Sequence, residues 1–334
     1  MSGWGRDVLG AGFERLDLPL GADVEGPLGA TLVRSLPDRP VFWERLLGRE
    51  RLFADVEVLY VHGWSDYFFQ RGLARFWTER GARFYALDLR KYGRSLRPGQ
   101  TPGYIEDLAE YDAEIDLALA TMRGERDRPR RLLLLGHSTG GLVLSLWADR
   151  HPGVAEALVL NSPWLEFQLA AAGRQLITPL VNLGAKLYPR DVPPQLDYGF
   201  YSRAQREVGP SEDLAGIDPG WRPDRAHAVL AGWLRAVLAG HARVSAGLDI
   251  DAPIGVLLSS RSALPLRWSG ELTSADSVLD VDETARTALR LGSTVTIERI
   301  DGALHDVFLS ASSARDDAYA RLERWTRGWL ATLG

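Results

Sequence analysis

The chain has 334 residues, 46% of them hydrophobic and 25% charged, with a net charge of −5 and no cysteine. That balance supports a sizeable core in one large or two small domains, and it excludes disulfides, thiolate metal sites and the dense basic patch of a nucleic-acid binder. The N-terminus lacks the basic start and apolar core of a secretory signal, and no apolar run approaches the roughly 20 residues that span a bilayer, so a cytoplasmic protein with no transmembrane segment is expected.

Residues 13–20 and 30–36 read as a pair of strands around a Gly/Pro turn. VEVLYV (56–61) is a short apolar, β-branched run and reads as a buried strand. Residues 67–80 are helix-like and Gly81 ends them. A strand at 83–87 is followed by a polar loop, 88–101. Residues 104–122 carry Ile105, Leu108, Ile115, Leu119 and Met122 at helical spacing, with Asp112 and Asp116 on the solvated face. A strand at 131–135, a helix at 141–149 and a strand at 157–160 come next. The alternation then stops for about 80 residues rich in aromatics and proline, and resumes with a strand at 254–259, a helix at 283–291, a strand at 294–300 and a final helix at 314–333. Strands that are apolar throughout and alternate with helices imply a mostly parallel sheet covered on both faces. The expected division is therefore one α/β core, residues 1–162 and 246–334, interrupted by an inserted helical lid at 163–245.

Gly136-His137-Ser138-Thr139-Gly140 fits G-x-S-x-G, directly after a strand and opening a helix, as a nucleophile elbow requires. A serine on such a turn sits in a strained backbone conformation, so its neighbours must be small. The helix N-terminus beside it favours developing negative charge. Of the six histidines, only His305 follows the last strand on a short loop, in IDGALHDVFLS. His62 and His137 precede the serine, His151 suits a helix cap, and His227 and His241 fall in the expected lid. The order Ser, acid, His then asks for a carboxylate after the 254–259 strand. Asp276 is the first choice, between small residues and the apolar Val278-Leu279. Asp280 is the second, Asp282 and Glu283 read as the start of a helix, and Glu166 is a more remote option. His62-Gly63-Trp64 follows the 56–61 strand. There the Trp64 amide, together with that of Thr139, could hold an oxyanion, and the His62 side chain is either a substrate contact or a satisfied loop residue.

Those residues resemble the α/β-hydrolase superfamily, and within it the monoacylglycerol lipase and lysophospholipase-like group, also classed with serine aminopeptidase-like hydrolases. The resemblance spans residues 56–330 and rests on His62-Gly63, DLRKYGRS (88–95), GHSTGG (136–141), SADSVLD (274–280) and GALHD (302–306). It implies an α/β-hydrolase fold with Ser138 as nucleophile, His305 as base, Asp276 as acid, and the Trp64 and Thr139 amides as oxyanion hole, with neither metal nor organic cofactor. Two departures stand out. Lys91-Tyr92-Gly93 replaces the group's usual Gly-His-Gly, and Ser260 to Leu272 intervene between the strand and Asp276.

The expected reaction is acyl transfer from a small apolar ester through an acyl-enzyme. The lid offers Trp164, Phe167, Tyr188, Tyr198, Phe200, Tyr201, Trp221 and Trp233. Trp164 and Phe167 are the nearest to the elbow in sequence and are the substrate-contact candidates. Exposed aromatics there also leave room for a membrane surface or a partner subunit, so a homodimer is one allowed state. The alternatives are a hydrolase of lactone, amide or C–C bonds on the same residues, and a non-catalytic ligand-binding protein on the same fold.

Overall fold

Short apolar runs become the middle of the molecule. The computed structural model describes residues 3–38, 51–167, 187–193, 197–263 and 267–333. Among these the strands are β1 (Gly5–Arg6), β2 (Glu14–Asp23), β3 (Gly26–Ser35), β4 (Val56–Val61), β5 (Arg83–Asp88), β6 (Arg131–His137), β7 (Ala157–Asn161), β8 (Ile254–Ser259) and β9 (Val295–Ile300). They form one sheet in the order β1-β2-β3-β5-β4-β6-β7-β8-β9. From β5 through β9 every pairing is parallel, while β1, β2 and β3 add on antiparallel at one edge. The helices of eight or more residues are α1 (Arg71–Glu79), α2 (Asp112–Gly124), α3 (Thr139–Arg150), α4 (Phe200–Val208), α5 (Ala231–Ala246), α6 (Val281–Ala288) and α7 (Ser312–Ala331), and a single helical turn, Ser211–Leu214, follows α4.

Side chains alternate across a strand, so each central strand feeds two cores. In β4, Leu59 and Val61 join the core with α2 and α3, whereas Val56, Val58 and Tyr60 join the core with α1 and α7. In β6, Leu132 and Leu134 go to the first and Leu133 and Leu135 to the second. Burial on both faces is why these strands carry apolar residues at successive positions. The chain leaves β4 for β5 on one side and returns to β6 on the other, so the order switches beside β4. A crevice outside the C-terminal strand ends belongs at such a point.

Two sequence expectations need correction. The helix expected over 104–122 begins only at Asp112. Asp107 is extended and its carboxylate accepts the Ala109 N–H, opening a separate 3-10 turn at Leu108–Tyr111. An aspartate that satisfies nearby backbone locally competes with a continuous helix. Likewise the helix expected over 67–80 begins only at Arg71, with Gln70 at φ −74°, ψ 84° as its non-helical N-cap. Gly81, at φ +95°, does end it, where a Cβ would lie 2.6 Å from Arg51 Cβ. The excursion at 163–245 leaves the sheet after β7 and rejoins it at β8. Its described parts hold α4 and α5, while residues 168–186 and 194–196 lie outside the described set. No helix among the described residues is long and apolar enough to cross a membrane.

The 88–95 loop is pinned by charge. Arg94 is fully buried between Asp7 at 2.6 Å and Asp88 at 2.8 Å, and Arg90 pairs with the buried Glu114 at 2.5 Å. Lys91, at φ 62°, reaches Asp23 at 2.6 Å and Glu25 at 2.7 Å in the β2–β3 turn. The Lys91 departure from Gly-His-Gly thus ties the N-terminal hairpin to the core. Glu25 also accepts from Thr101 Oγ1 and from Arg190, both at 2.6 Å. Burial pushes the Glu25 carboxyl up, but the hydrogen bonds from Lys91, Thr101 and Arg190 outweigh it and hold its pKa at about 2. A depressed carboxyl pKa adds stability above the unfolded value, and that stability is lost as pH falls through the folded one. Glu25→Gln is therefore expected to cost about 1–2 kcal/mol at pH 7, after discounting for solvent screening. Urea unfolding of both proteins should show that gap closing as the pH falls from the ordinary glutamate range toward about 2.

Candidate active site

Four strands deliver the site from their C-terminal ends: β6 leads to Ser138, β4 to the 62–66 loop, β8 toward Asp276 and β9 to His305. Ser138 sits between β6 and α3 at φ 52°, ψ −117°, a sparsely populated backbone region that persists only where its surroundings over-determine it. Here the surroundings are close. A Cβ on Gly136 would come within 2.7 Å of Gly141 Cα, and one on Gly140 within 2.3 Å of the Val61 carbonyl oxygen. The Ser138 N–H donates to Asn161 O at 3.0 Å, and its carbonyl accepts from Gly141 and Trp164 at 3.0 Å each.

His305 Nε2 lies 3.0 Å from Ser138 Oγ, and its Nδ1 lies 2.9 Å from Asp276 Oδ2. A carboxylate only accepts, so the proton is assigned to Nδ1, which leaves Nε2 to accept from the serine hydroxyl. His305 and Asp276 are buried, and Asp276 Oδ1 accepts the Val278 and Leu279 N–H groups at 2.8 Å each. The residues inserted after β8 do not carry Asp276 away. A parallel bridge joins Ser262 to Asp276, with Ala263 N to Asp276 O at 2.7 Å and Asp276 N to Arg261 O at 3.0 Å. Asp280, the second choice, is occupied elsewhere: its side chain accepts the Asp282 and Glu283 N–H groups as the N-cap of α6. Glu166 accepts from Thr287 Oγ1 at 2.8 Å, away from His305.

Gly63 brings the 62–66 loop against the serine, since a Cβ there would lie 3.1 Å from Ser138 Cβ. Trp64 follows Gly63, and Thr139 follows the serine as the first residue of α3. Both polar atoms of the His62 side chain are engaged by backbone. Its Nδ1 faces Gly63 O at 2.8 Å and its Nε2 accepts the Leu89 N–H at 3.1 Å. Of the two roles the sequence leaves open for His62, these contacts favour the buttress of the loop. Tyr92, in the position of the group's usual histidine, packs its ring 4.8 Å from His62 and 5.9 Å from Trp64. Trp64 packs against Trp233 with the rings tilted by 43° and their centroids 3.9 Å apart, and Trp164 lies 6.1 Å from Trp233 and 6.2 Å from Phe167. One wall beside the serine is thus aromatic. Tyr188 and Tyr198, by contrast, are exposed. His151 caps α3 as expected, its Nδ1 2.8 Å from Trp147 O.

Sequence reasoning missed the bracket behind the two loops. Asn161 ends β7. Its carbonyl holds the elbow, its Nδ2 donates to Asp306 Oδ1 at 2.8 Å, and its Oδ1 accepts the Val307 N–H at 3.2 Å. Asp306 also accepts from Gln70 Nε2 at 3.1 Å. Asn161 therefore links the serine turn to the histidine turn, and an amide at the buried end of an apolar strand was the available signal. His137, also buried, stands 5.0 Å from the His305 ring. Burial above all, and the neighbouring His305 as well, push its pKa down against the pull of Asp306, so the His137 imidazole is favoured neutral.

Residues 54–245 match the family described as serine aminopeptidase, S33 (Hydrolase_4), a span that contains Ser138 and ends before Asp276 and His305. The phospholipase YtpA of Bacillus subtilis is 30% identical over 141 residues, which are 39% of this chain and only 52% of that protein. The monoacylglycerol lipase of Mycolicibacterium smegmatis is 24% identical over 257 residues, 75% of this chain and 81% of that one. Among solved structures, a soluble variant of monoglyceride lipase from Saccharomyces cerevisiae aligns with a TM-score of 0.65 at 14% identity, over 94% of this chain and 97% of that one. The monoacylglycerol lipase of Paleococcus ferrophilus aligns at 0.60 with 19% identity, over 82% and 94%. At those identities the structures speak for the fold, and the family match covers more than half of the chain. The chain belongs to the serine aminopeptidase S33 family and has the α/β-hydrolase fold.

Proposed function

We propose that this chain is a serine hydrolase that cleaves carboxylic esters of apolar acyl groups, with Ser138, His305 and Asp276 as its catalytic triad. The observation that carries the reading is the unbroken pair of hydrogen-bond contacts, 3.0 Å and 2.9 Å, from Ser138 Oγ through His305 to Asp276. Ser138 Oγ attacks the acyl carbonyl as His305 Nε2 takes its proton, and Asp276 stabilises the imidazolium and fixes its orientation. The Trp64 and Thr139 amides hold the oxyanion, each worth about 3 kcal/mol of barrier. His305 then protonates the departing alcohol, and in the second half-reaction it deprotonates the water that releases the acid. The described residues of the 163–245 insertion act as a lid over this site, with Trp164 and Phe167 lining the acyl path beside Trp233 and Trp64. Ester chemistry draws further support from the lipase and phospholipase names of the sequence relatives. A cytoplasmic location is part of the same proposal.

The family description favours one second reading, amide hydrolysis on the same residues. A panel of p-nitrophenyl esters from acetate upward, run beside aminoacyl p-nitroanilides, separates the two. Rising kcat/KM with acyl length, and anilides slower by at least about 100-fold, is the expected result; each extra methylene held in an apolar pocket contributes roughly 0.8 kcal/mol. Faster anilides would move the amide reading to the front.

A further inference from the structure

Two buried carboxylates stand at His305, and the acyl-transfer steps use only one. Asp276 takes the Nδ1 side at 2.9 Å. Asp306, the next residue in the chain, has side-chain partners that all donate and are all neutral. Its Oδ1 accepts from Asn161 Nδ2 at 2.8 Å and from the Phe308 N–H at 3.0 Å, and its Oδ2 accepts from Gln70 Nε2 at 3.1 Å. Three donors and no acceptor are what an ionised carboxylate calls for. Among the described residues no arginine or lysine forms an ion pair with it, and Arg222, which feels its charge, is paired with Asp66 at 2.8 Å. Neutral donors lower the cost of burying the charge without cancelling it. Its field therefore carries through an interior that solvent screens weakly.

That field reaches the rings packed on His305. His137, the last residue of β6, has its ring centroid 5.0 Å from that of His305, and Tyr201, on α4, lies edge-on at 5.4 Å. Burial comes first at both, pushing the His137 pKa down and the Tyr201 pKa up. Asp306 comes next at both, favouring a cation at His137 and opposing an anion at Tyr201. Both rings are thus favoured neutral, and the members of the Asp66–Arg222 pair offset one another. The charges left around the His305 imidazole are Asp276, from the loop after β8, and Asp306, from its own loop. In the proposed mechanism His305 is neutral before attack and cationic once it holds the Ser138 proton. A fixed negative charge nearby then favours the transition state over the ground state.

We propose that Asp306 is a positioning residue for the proton transfer: a second carboxylate, anchored by Asn161, Gln70 and the Phe308 amide, whose buried charge supports the His305 imidazolium. It touches neither substrate nor reacting atoms and acts through His305. The proposal rests on the reading of Ser138 and His305 as nucleophile and base, and deepens it.

The test follows the rate at which a fluorophosphonate labels Ser138 from about pH 4 to pH 9, a range that brackets imidazole titration, with kcat and KM for one p-nitrophenyl ester beside it. In wild type the rate falls toward acid pH as His305 takes up a proton. Asp306→Asn keeps the size of the side chain and removes its charge. Its plateau labelling rate and kcat are expected to be about tenfold lower with KM within about twofold, and its acid-side midpoint about one pH unit lower, since one unit is the same free energy as tenfold in rate. The variant is thus slower at neutral pH yet holds its remaining rate further into acid. A residue that only braced the loop would lower Tm and leave the midpoint in place. Gln70→Leu is the companion variant: it removes one donor and keeps the charge, so its midpoint should not move to lower pH. The new amide at 306 would face Gln70 Nε2 donor to donor; should that prevent folding, Asp306→Ser offers the Phe308 N–H an uncharged acceptor and must show the same displacement. An unmoved or raised midpoint in the neutral variant, or an equal downward displacement in Gln70→Leu, would overturn the proposal. Wild type left unlabelled at Ser138 would instead remove the hydrolase reading, and this role with it.

Discussion

Ser138→Ala is expected to lower kcat by about 10⁴- to 10⁶-fold while leaving the far-UV circular dichroism and thermal transition close to wild type. In the proposed mechanism the loss is large because the hydroxyl is the only part of the site that forms a bond to the acyl carbon. What survives is the rate from the oxyanion donors and from binding, which act without the nucleophile. The fold should tolerate the change, since the strained turn is held by Gly136, Gly140 and the Asn161 carbonyl rather than by Oγ. His305→Ala should cost nearly as much, and the double variant little more, because a nucleophile and its base act as one unit. Labelling by a fluorophosphonate, followed by peptide mass spectrometry, reads the same chemistry directly. Wild type should be modified at Ser138, with labelling lost in Ser138→Ala and sharply reduced in His305→Ala. Ser162 is the informative control. It too has positive φ, 45°, and a buried hydroxyl without a partner. Label appearing there, or more than about 1% of activity surviving Ser138→Ala, would show that the nucleophile has been misassigned.

The second large effect separates two carboxylates four residues apart. Asp276→Asn is expected to reduce kcat by about 10³- to 10⁴-fold with little change in KM, because an amide beside Nδ1 favours the tautomer that points a proton at the serine. Its Oδ1 can still accept the Val278 and Leu279 N–H groups, so the loop should keep its shape. Asp280→Ala should do the reverse. Activity stays near wild type, while loss of the α6 N-cap costs about 1 kcal/mol and lowers Tm by roughly 2 °C in a chain of this size. The pair is best measured together, by steady-state kinetics and differential scanning calorimetry on the same preparations. Activity loss in Asp280→Ala without loss in Asp276→Asn would exchange the two assignments.

Much of the architecture was legible because the signals are local. The runs at 56–61 and 254–259 coincide with β4 and β8 residue for residue, since a strand buried on both faces is apolar at most positions, and Glu57, the charged exception in β4, is paired with Arg126 at 2.7 Å. The elbow was equally local: a glycine two residues either side of Ser138 is a steric requirement of the turn itself. Boundaries failed where a side chain competed for the backbone, as Asp107 does for Ala109 ahead of α2. β1, only two residues long, carried no periodicity to read.

The site divides in the same way. Ser138 and His305 could be named from the chain because each follows its strand directly, and chain order left few rivals. Sequence ranked Asp276 ahead of Asp280 without deciding between them. What separates them is the bridge from Ser262 to Asp276, which folds the insertion back so that one carboxylate meets Nδ1 and leaves the other to cap a helix. Nor does sequence show that both nitrogens of His62 are spent on backbone, or that Asn161 ties the serine turn to the histidine turn from 145 residues away. The reason is physical. Periodicity and turn chemistry act between neighbours in the chain and leave their mark there, whereas a hydrogen bond across the sheet depends only on where two loops meet.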